Sequence, residues 1–177
     1  MTRYAGRTAV VVGEAEATGI GLAIAKRLVE GGARVVLTAR DVEGPEAELG
    51  SSARVVAPSE LGAGLGPEGV DLLFADTVAT ARPLLAHLRD GGAVVLTAPE
   101  PEPAAVRVLA GELVSRGVRV NAVAPGCIEA PGGAVPLPPM GRLGAVEEVA
   151  RAALFLATEA TFTTGARLPV DGGLGSP

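Results

Sequence analysis

The stretch Thr8–Arg40 constrains the fold more than any other part of the chain. Ala9–Gly13 is an apolar, β-branched run that stops at a glycine, as expected of a parallel strand buried on both faces. Apolar residues then recur every three or four positions from Gly19 until Gly31-Gly32, which is typical of an amphipathic helix closed by a glycine C-cap. A second buried strand at Val35–Leu37 completes a βαβ unit.

The glycines at the start of this helix predict an anion site. Gly19 and Gly21 leave the first amide N–H groups of the helix uncovered, and the positive end of the helix dipole lies there. A pyrophosphate is the usual ligand of such a helix start. A second interpretation stays open, in which the glycines only allow the helix and strand to pack closely.

The remaining apolar runs extend the βαβ pattern over the whole chain. Further strands are predicted at Ala53–Ala57, Val70–Ala75, Ala93–Thr97, from Val118, and at Arg167–Val170. We therefore expect an α/β fold, a Rossmann-like doubly wound parallel sheet of about seven strands, in a single domain spanning residues 1–177. Only twelve residues, four of them glycine, separate the third and fourth strands, so this crossover has room for at most one turn of helix.

Two helices and one linker are predicted between these strands. A short helix is expected over Thr77–Arg89, with His87 near its end, and another over Ala104–Arg116. The proline-rich Pro99–Pro103 segment is interpreted as an extended linker into the second of these helices.

Composition excludes several classes of function. The net charge of −5, without basic clusters, argues against binding to nucleic acid or to an anionic membrane. The only cysteine, Cys127, cannot form an internal disulfide, and no apolar run approaches eighteen residues. We therefore expect a cytoplasmic protein that acts on a small metabolite or a protein partner, and we assign no metal ligands.

The loop and the C-terminal third resemble the short-chain dehydrogenase/reductase family. The loop is similar to T-G-x-x-x-G-I-G, although Glu14–Thr18 makes it two residues longer. The segments Gly141–Ala150 and Thr164–Gly173 are similar to the family's G-R-x-G-x-x-E-E-V-A and T-G-x-x-x-x-V-D-G-G patterns. The resemblance implies a nicotinamide cofactor held by the loop and the end of the second strand, with NADP favoured because that strand is followed by an arginine and not an acid. The implied cofactor-binding residues are Gly13, Thr18, Gly19, Ile20, Gly21 and Arg40.

The catalytic motif of that family has no counterpart here. The family uses Y-x-x-x-K, but Tyr4 and Lys26 are the only tyrosine and lysine, and both lie far upstream of the expected position. Aligning back from Glu112-Leu113 puts the expected pair at Val95 and Pro99. We therefore assign no catalytic residue and expect a degenerate member with shortened or missing helices.

Three functional hypotheses remain open. The first is a non-catalytic subunit that pairs with an intact family member, or with itself, through the last helix and strand. The second is an NADP-dependent reductase whose proton donor is Thr97, Asp76 or water. The third is a non-redox enzyme using Asp76, His87, Glu100 or Glu102 as acid or base.

Overall fold

A parallel sheet forms the centre of the fold, which we describe from a computed structural model over residues 3–12, 19–40, 43–98, 101–129 and 136–175. Its strands are β1 (Thr8–Val12), β2 (Arg34–Thr38), β3 (Ala53–Val56), β4 (Val70–Ala75), β5 (Leu88–Leu96), β6 (Arg119–Pro125) and β7 (Arg167–Val170). They form one seven-stranded sheet in the order β3-β2-β1-β4-β5-β6-β7, and every pair is parallel. The predicted doubly wound, Rossmann-like sheet is therefore confirmed.

Helices cover both faces of this sheet. They are α1 (Ile20–Glu30), α2 (Glu43–Leu49), α3 (Leu61–Gly64), α4 (Val78–Ala81), α5 (Pro103–Leu113) and α6 (Val146–Thr158). Buried side chains of α1, α2 and α6 share one apolar cluster with one face of the sheet, and those of α3, α4 and α5 share a second cluster with the other. The second layer is thin because α3 and α4 have four residues each. The single turn of α3 confirms the short crossover predicted before β4.

The end of α1 forms as the Gly31-Gly32 pair predicts. Gly32 adopts a left-handed conformation with φ 83°, and its N–H donates to the carbonyl of Val29 at 2.9 Å. The N–H of Ala33 donates to the carbonyl of Leu28, also at 2.9 Å. This Schellman arrangement stops the helix and turns the chain into β2.

The helix predicted over Thr77–Arg89 is wrong in its second half. Helix α4 ends at Ala81, a 3-10 turn follows over Arg82–Leu84, and β5 already begins at Leu88, five residues before the predicted strand. Pro83 explains the early end, because its ring and missing N–H prevent an α-helix from continuing through it. His87 lies beside the start of β4, where its carbonyl accepts a bond from Val70.

A buried asparagine joins β6 to the loop before β7. The amide of Asn121, only 1% exposed, donates to the carbonyl of Thr163 at 2.8 Å and accepts from the N–H of Ala166 at 3.0 Å. Two residues earlier, the guanidinium of Arg119 donates to carbonyls at the C-terminal end of α6, those of Leu156, Ala157 and Ala160. These bonds satisfy backbone groups that the helix end and the loop would otherwise leave unpaired.

We predict that Asn121→Ala lowers the free energy of unfolding by about 1–3 kcal/mol, because it leaves a buried carbonyl and a buried N–H without partners. Urea unfolding followed by circular dichroism measures this change. Ser59→Ala, at an exposed position, serves as the control and should change stability by less than about 0.5 kcal/mol. Equal effects of the two substitutions would contradict the role assigned to Asn121.

Candidate functional site

The candidate site lies at the edge of the sheet where the strands end. The sequence-adjacent strands β1 and β2 lead to one side of the sheet, whereas β4 lies on the other side of β1. Such a reversal of strand order opens a crevice beyond the carboxyl ends of the strands, where ligands of open α/β sheets bind. We call this side of the sheet the carboxyl edge, and the opposite side the amino edge.

The start of α1 lies at the carboxyl edge, and no side chain of its N-cap residue caps it. Gly19 is the N-cap residue, has a left-handed backbone with φ 69°, and forms no side-chain cap. The first turn contains no acidic residue, and Ile20, 4% exposed, anchors the helix start in the core. The positive end of the helix dipole is therefore not neutralised by a side chain of the first turn, which suits an anionic ligand.

Gly21 brings α1 close to the sheet. A Cβ atom on Gly21 would lie 3.4 Å from Cγ1 of Val11 in β1 and 4.0 Å from Cδ1 of Leu37 in β2. The contact with β1 supports the close-packing interpretation for Gly21, and anion binding at the helix start stays a prediction. Gly21 serves the packing of α1 on β1, whereas Gly19 supplies the backbone conformation at the open helix start.

The structure brings four of the six predicted cofactor-binding residues to the same edge. Gly19, Ile20 and Gly21 form the start of α1, and Arg40 lies two residues beyond the end of the neighbouring β2, with an exposed side chain. Gly13 and Thr18 lie outside the described residues. Whether this set binds a nucleotide stays a prediction.

The ends of β4 and β5 place a hydroxyl beside a carboxylate. The hydroxyl of Thr97 lies 3.5 Å from Oδ1 of Asp76 and 3.5 Å from the carbonyl of Ala75. The backbone holds both residues in position, because the N–H groups of Thr97 and Ala98 donate to the carbonyls of Ala75 and Asp76 at 2.9 and 3.0 Å. Both side chains are half-buried at the carboxyl edge.

The end of β6 is packed tightly against the turn that follows β7. A Cβ on Gly126 would lie 2.6 Å from Cα of Asp171, so only glycine fits at this approach. The carboxylate of Asp171 accepts bonds from the N–H groups of Gly173 and Gly175 at 2.9 and 3.0 Å. The Asp-Gly-Gly pattern alone does not reveal this turn-forming role. The preference of aspartate for binding nearby backbone N–H groups is the signal that could have predicted it.

An ion pair fixes the start of α6. Both Nη atoms of Arg142 donate to the carboxylate of Glu148 at 2.8 Å, and Oε2 of Glu148 also accepts from the N–H of Ala145 at 2.9 Å. These hydrogen bonds to the charged form lower the pKa of Glu148 to about 2. The pair joins the loop after β6 to the first turn of α6, next to the half-buried Cys127.

The only tyrosine and the only lysine lie away from the carboxyl edge. Tyr4 is 6% exposed and packs on Gly31 at the amino edge, where a Cβ on Gly31 would overlap its ring. Lys26 lies in the middle of α1 and forms an ion pair with Glu48 of α2. Val95, at the position expected for the catalytic tyrosine, is completely buried in β5.

Three of the four acid-base candidates named from the sequence lie within the described residues. Asp76 lies at the carboxyl edge, whereas His87 is exposed at the amino edge, so the structure does not bring it to the site. Glu102 is the exposed N-cap residue of α5, and Glu100 lies outside the described residues. Among the described residues, no group of three or more His, Cys, Asp or Glu side chains could hold a metal ion, and no helix is long and apolar enough to span a membrane.

One family model matches the C-terminal part of the chain. Residues 103–175 match the family described as Enoyl-(Acyl carrier protein) reductase. The 3-oxoacyl-[acyl-carrier-protein] reductase FabG of Thermotoga maritima is 46% identical over 76 residues, which cover 37% of this chain and 31% of that protein. Galactitol 2-dehydrogenase (L-tagatose-forming) of Cereibacter sphaeroides is 48% identical over 80 residues, which cover 38% of this chain and 32% of that protein. The chain thus spans about a third of the length of these curated relatives.

Solved structures match over nearly the whole chain. A crystal structure described as a putative betaketoacyl-ACP reductase superposes with a TM-score of 0.78 at 28% identity, covering 97% of this chain and 99% of that one. A short-chain dehydrogenase/reductase variant of Serratia marcescens superposes with a TM-score of 0.82 at 21% identity, covering 98% of this chain and 100% of that one, and at this identity shows the fold alone.

We predict that Glu148→Gln removes a pH-dependent part of the stability. Because the pKa of Glu148 is lowered from 4.5 to about 2 in the folded chain, its stabilising effect is complete above about pH 4.5 and disappears as the pH falls towards 2. The difference in melting temperature between wild type and Glu148→Gln, followed by circular dichroism, should therefore shrink over this interval. Glu147→Gln, on the exposed neighbour, is the control, and an equal pH-dependent difference for it would contradict the assignment.

Proposed function

We propose that the chain, which superposes on short-chain dehydrogenase/reductase structures over nearly its whole length, is a non-catalytic, nucleotide-binding member of that family that pairs with an intact family member. The relatives named above include 3-oxoacyl-[acyl-carrier-protein] reductases, so a ketoreductase is the partner class that we favour. The proposal has three parts: a loss of the proton donor, a retained nucleotide cradle, and an exposed C-terminal surface.

The observation that carries the proposal is the position of the only tyrosine and the only lysine, which lie away from the crevice. Reduction of a carbonyl needs a group that delivers a proton to its oxygen within hydrogen-bonding distance. In the resembled family this group is a tyrosine assisted by a lysine. Here the only tyrosine packs on Gly31 at the amino edge, and the only lysine is paired with Glu48. Tyr4 is buried at the opposite edge of the sheet, and Lys26 is directed towards α2 by its ion pair.

The carboxyl edge retains features that fit an adenine dinucleotide phosphate. The open start of α1 at Gly19, Ile20 and Gly21 is suited to a pyrophosphate, and the cationic Arg40 is suited to a 2′-phosphate. When bound, NADPH would supply a hydride. The residues of this chain would bind and orient the nucleotide, and binding would stabilise the subunit.

A second candidate function depends on the Thr97–Asp76 contact. A hydroxyl 3.5 Å from a carboxylate oxygen at the ends of β4 and β5 could pass a proton to a substrate in the crevice. This would make the chain a reductase, or a non-redox enzyme, with a donor other than tyrosine. The same activity measurement distinguishes this candidate from the non-catalytic subunit.

The surface proposed for pairing is formed by the outer side of α6, the loop after it and β7. Phe155 of α6 is 46% exposed, and Phe162 in the loop is completely exposed although Asn121 and Thr164 bind the same loop to β6. Aromatic side chains on a well-ordered surface are favoured at the centres of protein interfaces. The exposed phenylalanines therefore support a partner that covers this end of the molecule.

The outer edge of β7 favours side-chain packing over strand pairing. The backbone N–H groups of Ala122 and Gly126 donate to the carbonyls of Ala166 and Val170. Because the backbone groups of successive strand residues point to opposite sides, those of Arg167 and Pro169 point away from β6. Pro169 has no N–H to donate to an added strand. We therefore propose an interface in which a partner packs on Phe155 and Phe162 rather than one that continues the sheet.

The activity experiment mixes the purified chain with NADPH and an acetoacetyl thioester and follows absorbance at 340 nm. We expect no oxidation above that of a sample without protein. The tagged chain is then co-expressed with each Y-x-x-x-K family member encoded in the same genome, and a stoichiometric complex with one of them is expected. Turnover by the chain alone, lost in Thr97→Val or Asp76→Asn, would instead establish the second candidate.

We predict that Arg40→Gln weakens NADPH binding about tenfold while leaving NADH binding unchanged, because only NADPH carries the 2′-phosphate. Thermal shift and isothermal titration measure both affinities. Arg54→Gln, an exposed arginine on β3, is the matched control and should affect neither nucleotide. Binding of neither nucleotide to the wild-type chain would exclude the cofactor part of the proposal, whatever the outcome of the partner experiment.

We predict that Phe155→Asp reduces self-association or partner binding at least tenfold, because it introduces a charge into the proposed interface. Analytical ultracentrifugation, with the chain alone and with its partner, measures the change. Val108→Asp is the matched control, since Val108 is 59% exposed on α5, which covers the other face of the sheet. A loss of association in the control instead would move the interface to α5.

A further inference from the structure

A cleft at the amino edge contains more arginine than its acidic residues neutralise. It lies between the C-terminal half of α1, the middle and end of α6, and the chain segment before β1. We call it the arginine cleft, and it is lined by Arg3, Tyr4, Arg27, Glu30, Gly31, Arg151, Leu154 and Glu159. Because α1 begins at the carboxyl edge and ends here, the arginine cleft is separate from the proposed nucleotide site.

One of the three arginines is already neutralised. The guanidinium of Arg3 forms an ion pair with Glu159 at the end of α6, and its Cζ atom lies 5.9 Å from the centroid of the Tyr4 ring. This contact fixes Arg3 on one wall of the cleft. The ion pair leaves Arg27, Arg151 and Glu30 as the other charged groups around the opening.

The other two arginines have no ion-pair partner among the residues that the structure describes. Arg27 is half-buried, and its Nε atom is buried without any hydrogen-bond acceptor. Arg151 is exposed and lowers the pKa of Glu148 through space, but it forms no ion pair in the described part of the chain. A guanidinium group without a carboxylate partner keeps an uncompensated positive charge, which a bound anion would compensate.

We propose that the arginine cleft binds the phosphate group of a small phosphorylated molecule. The guanidinium groups of Arg27 and Arg151, which form no ion pair in the described part of the chain, attract the negative charge of a phosphate, and their planar N–H forks suit its oxygens. Glu30 on the rim opposes an anion, so the free positive charge exceeds the negative charge by one. The apolar side of the cleft, formed by Leu154 with the edge of Tyr4, can contact the organic part of such a ligand.

Titration with inorganic phosphate, followed by ³¹P NMR and calorimetry at constant ionic strength, tests this proposal. We expect saturable binding that weakens at least tenfold in the double variant Arg27→Gln/Arg151→Gln. Arg107→Gln is the matched control, because Arg107 is an exposed arginine of α5 without an ion pair in the described residues, and it should bind like wild type. Arg27→Lys keeps the charge but lacks the Nε donor, so an intermediate loss is expected.

Two further binding measurements show whether the ligand is free phosphate or a phosphomonoester, and whether it binds in the arginine cleft. A phosphomonoester such as glycerol 3-phosphate should bind more tightly than inorganic phosphate if the organic part contacts the cleft, whereas equal affinity would assign the site to free phosphate. Binding should persist in the presence of saturating NADPH. Absence of saturable binding, or binding that NADPH displaces and the double variant leaves unchanged, would overturn the proposal. Unfolding curves of each variant establish that the fold is intact.

Discussion

The close approach of α1 and α6 to one face of the sheet is the constraint on which the rest of the structure depends. A parallel sheet needs apolar cover on both faces, and here small side chains bring the two helices onto it. Ala23 and Ala25 of α1, and Ala150, Ala153 and Ala157 of α6, are almost completely buried. This packing fixes the start of α1 beyond β1 and the end of α6 beside Tyr4, so it positions both the proposed nucleotide site and the arginine cleft.

The opposite face of the sheet is covered in part by much shorter helices than the face beneath α1 and α6. Helices α3 and α4 have four residues each, yet the strand residues beneath this layer, such as Leu73 and Val94, are nearly inaccessible to solvent. A short layer is therefore sufficient to protect the sheet. The only tyrosine and the only lysine of the chain, Tyr4 and Lys26, both belong to the layer on the other face. Protection of this face of the sheet therefore does not require a long helix over every strand.

Sequence patterns predicted the fold well because the strongest signals are local. Val70–Ala75, Arg167–Val170 and the helix ending at Thr158 have the predicted limits, and Gly31-Gly32 ends α1 as expected. The helix predicted over Thr77–Arg89 is too long, because its apolar spacing continues past Pro83, whereas the α-helix ends before this proline. The ion pair of Arg142 with Glu148 and the turn at Asp171 depend on contacts across loops. Periodicity contains no information about such contacts. For the same reason it does not predict the arginine cleft, whose lining residues are far apart in the chain.

The bonds of Arg119 and Asn121 have a consequence for the order in which the molecule opens. Together they connect β6, the end of α6 and the loop before β7, so that no one of these elements can separate without breaking bonds to the others. The C-terminal third therefore behaves as one cooperative unit, whose amide protons should exchange with solvent at a common rate. The sparsely covered segment around α3, which has few such cross-connections, would exchange independently and faster. On this basis the C-terminal third, which carries the proposed interface, opens more slowly than the border beside β3.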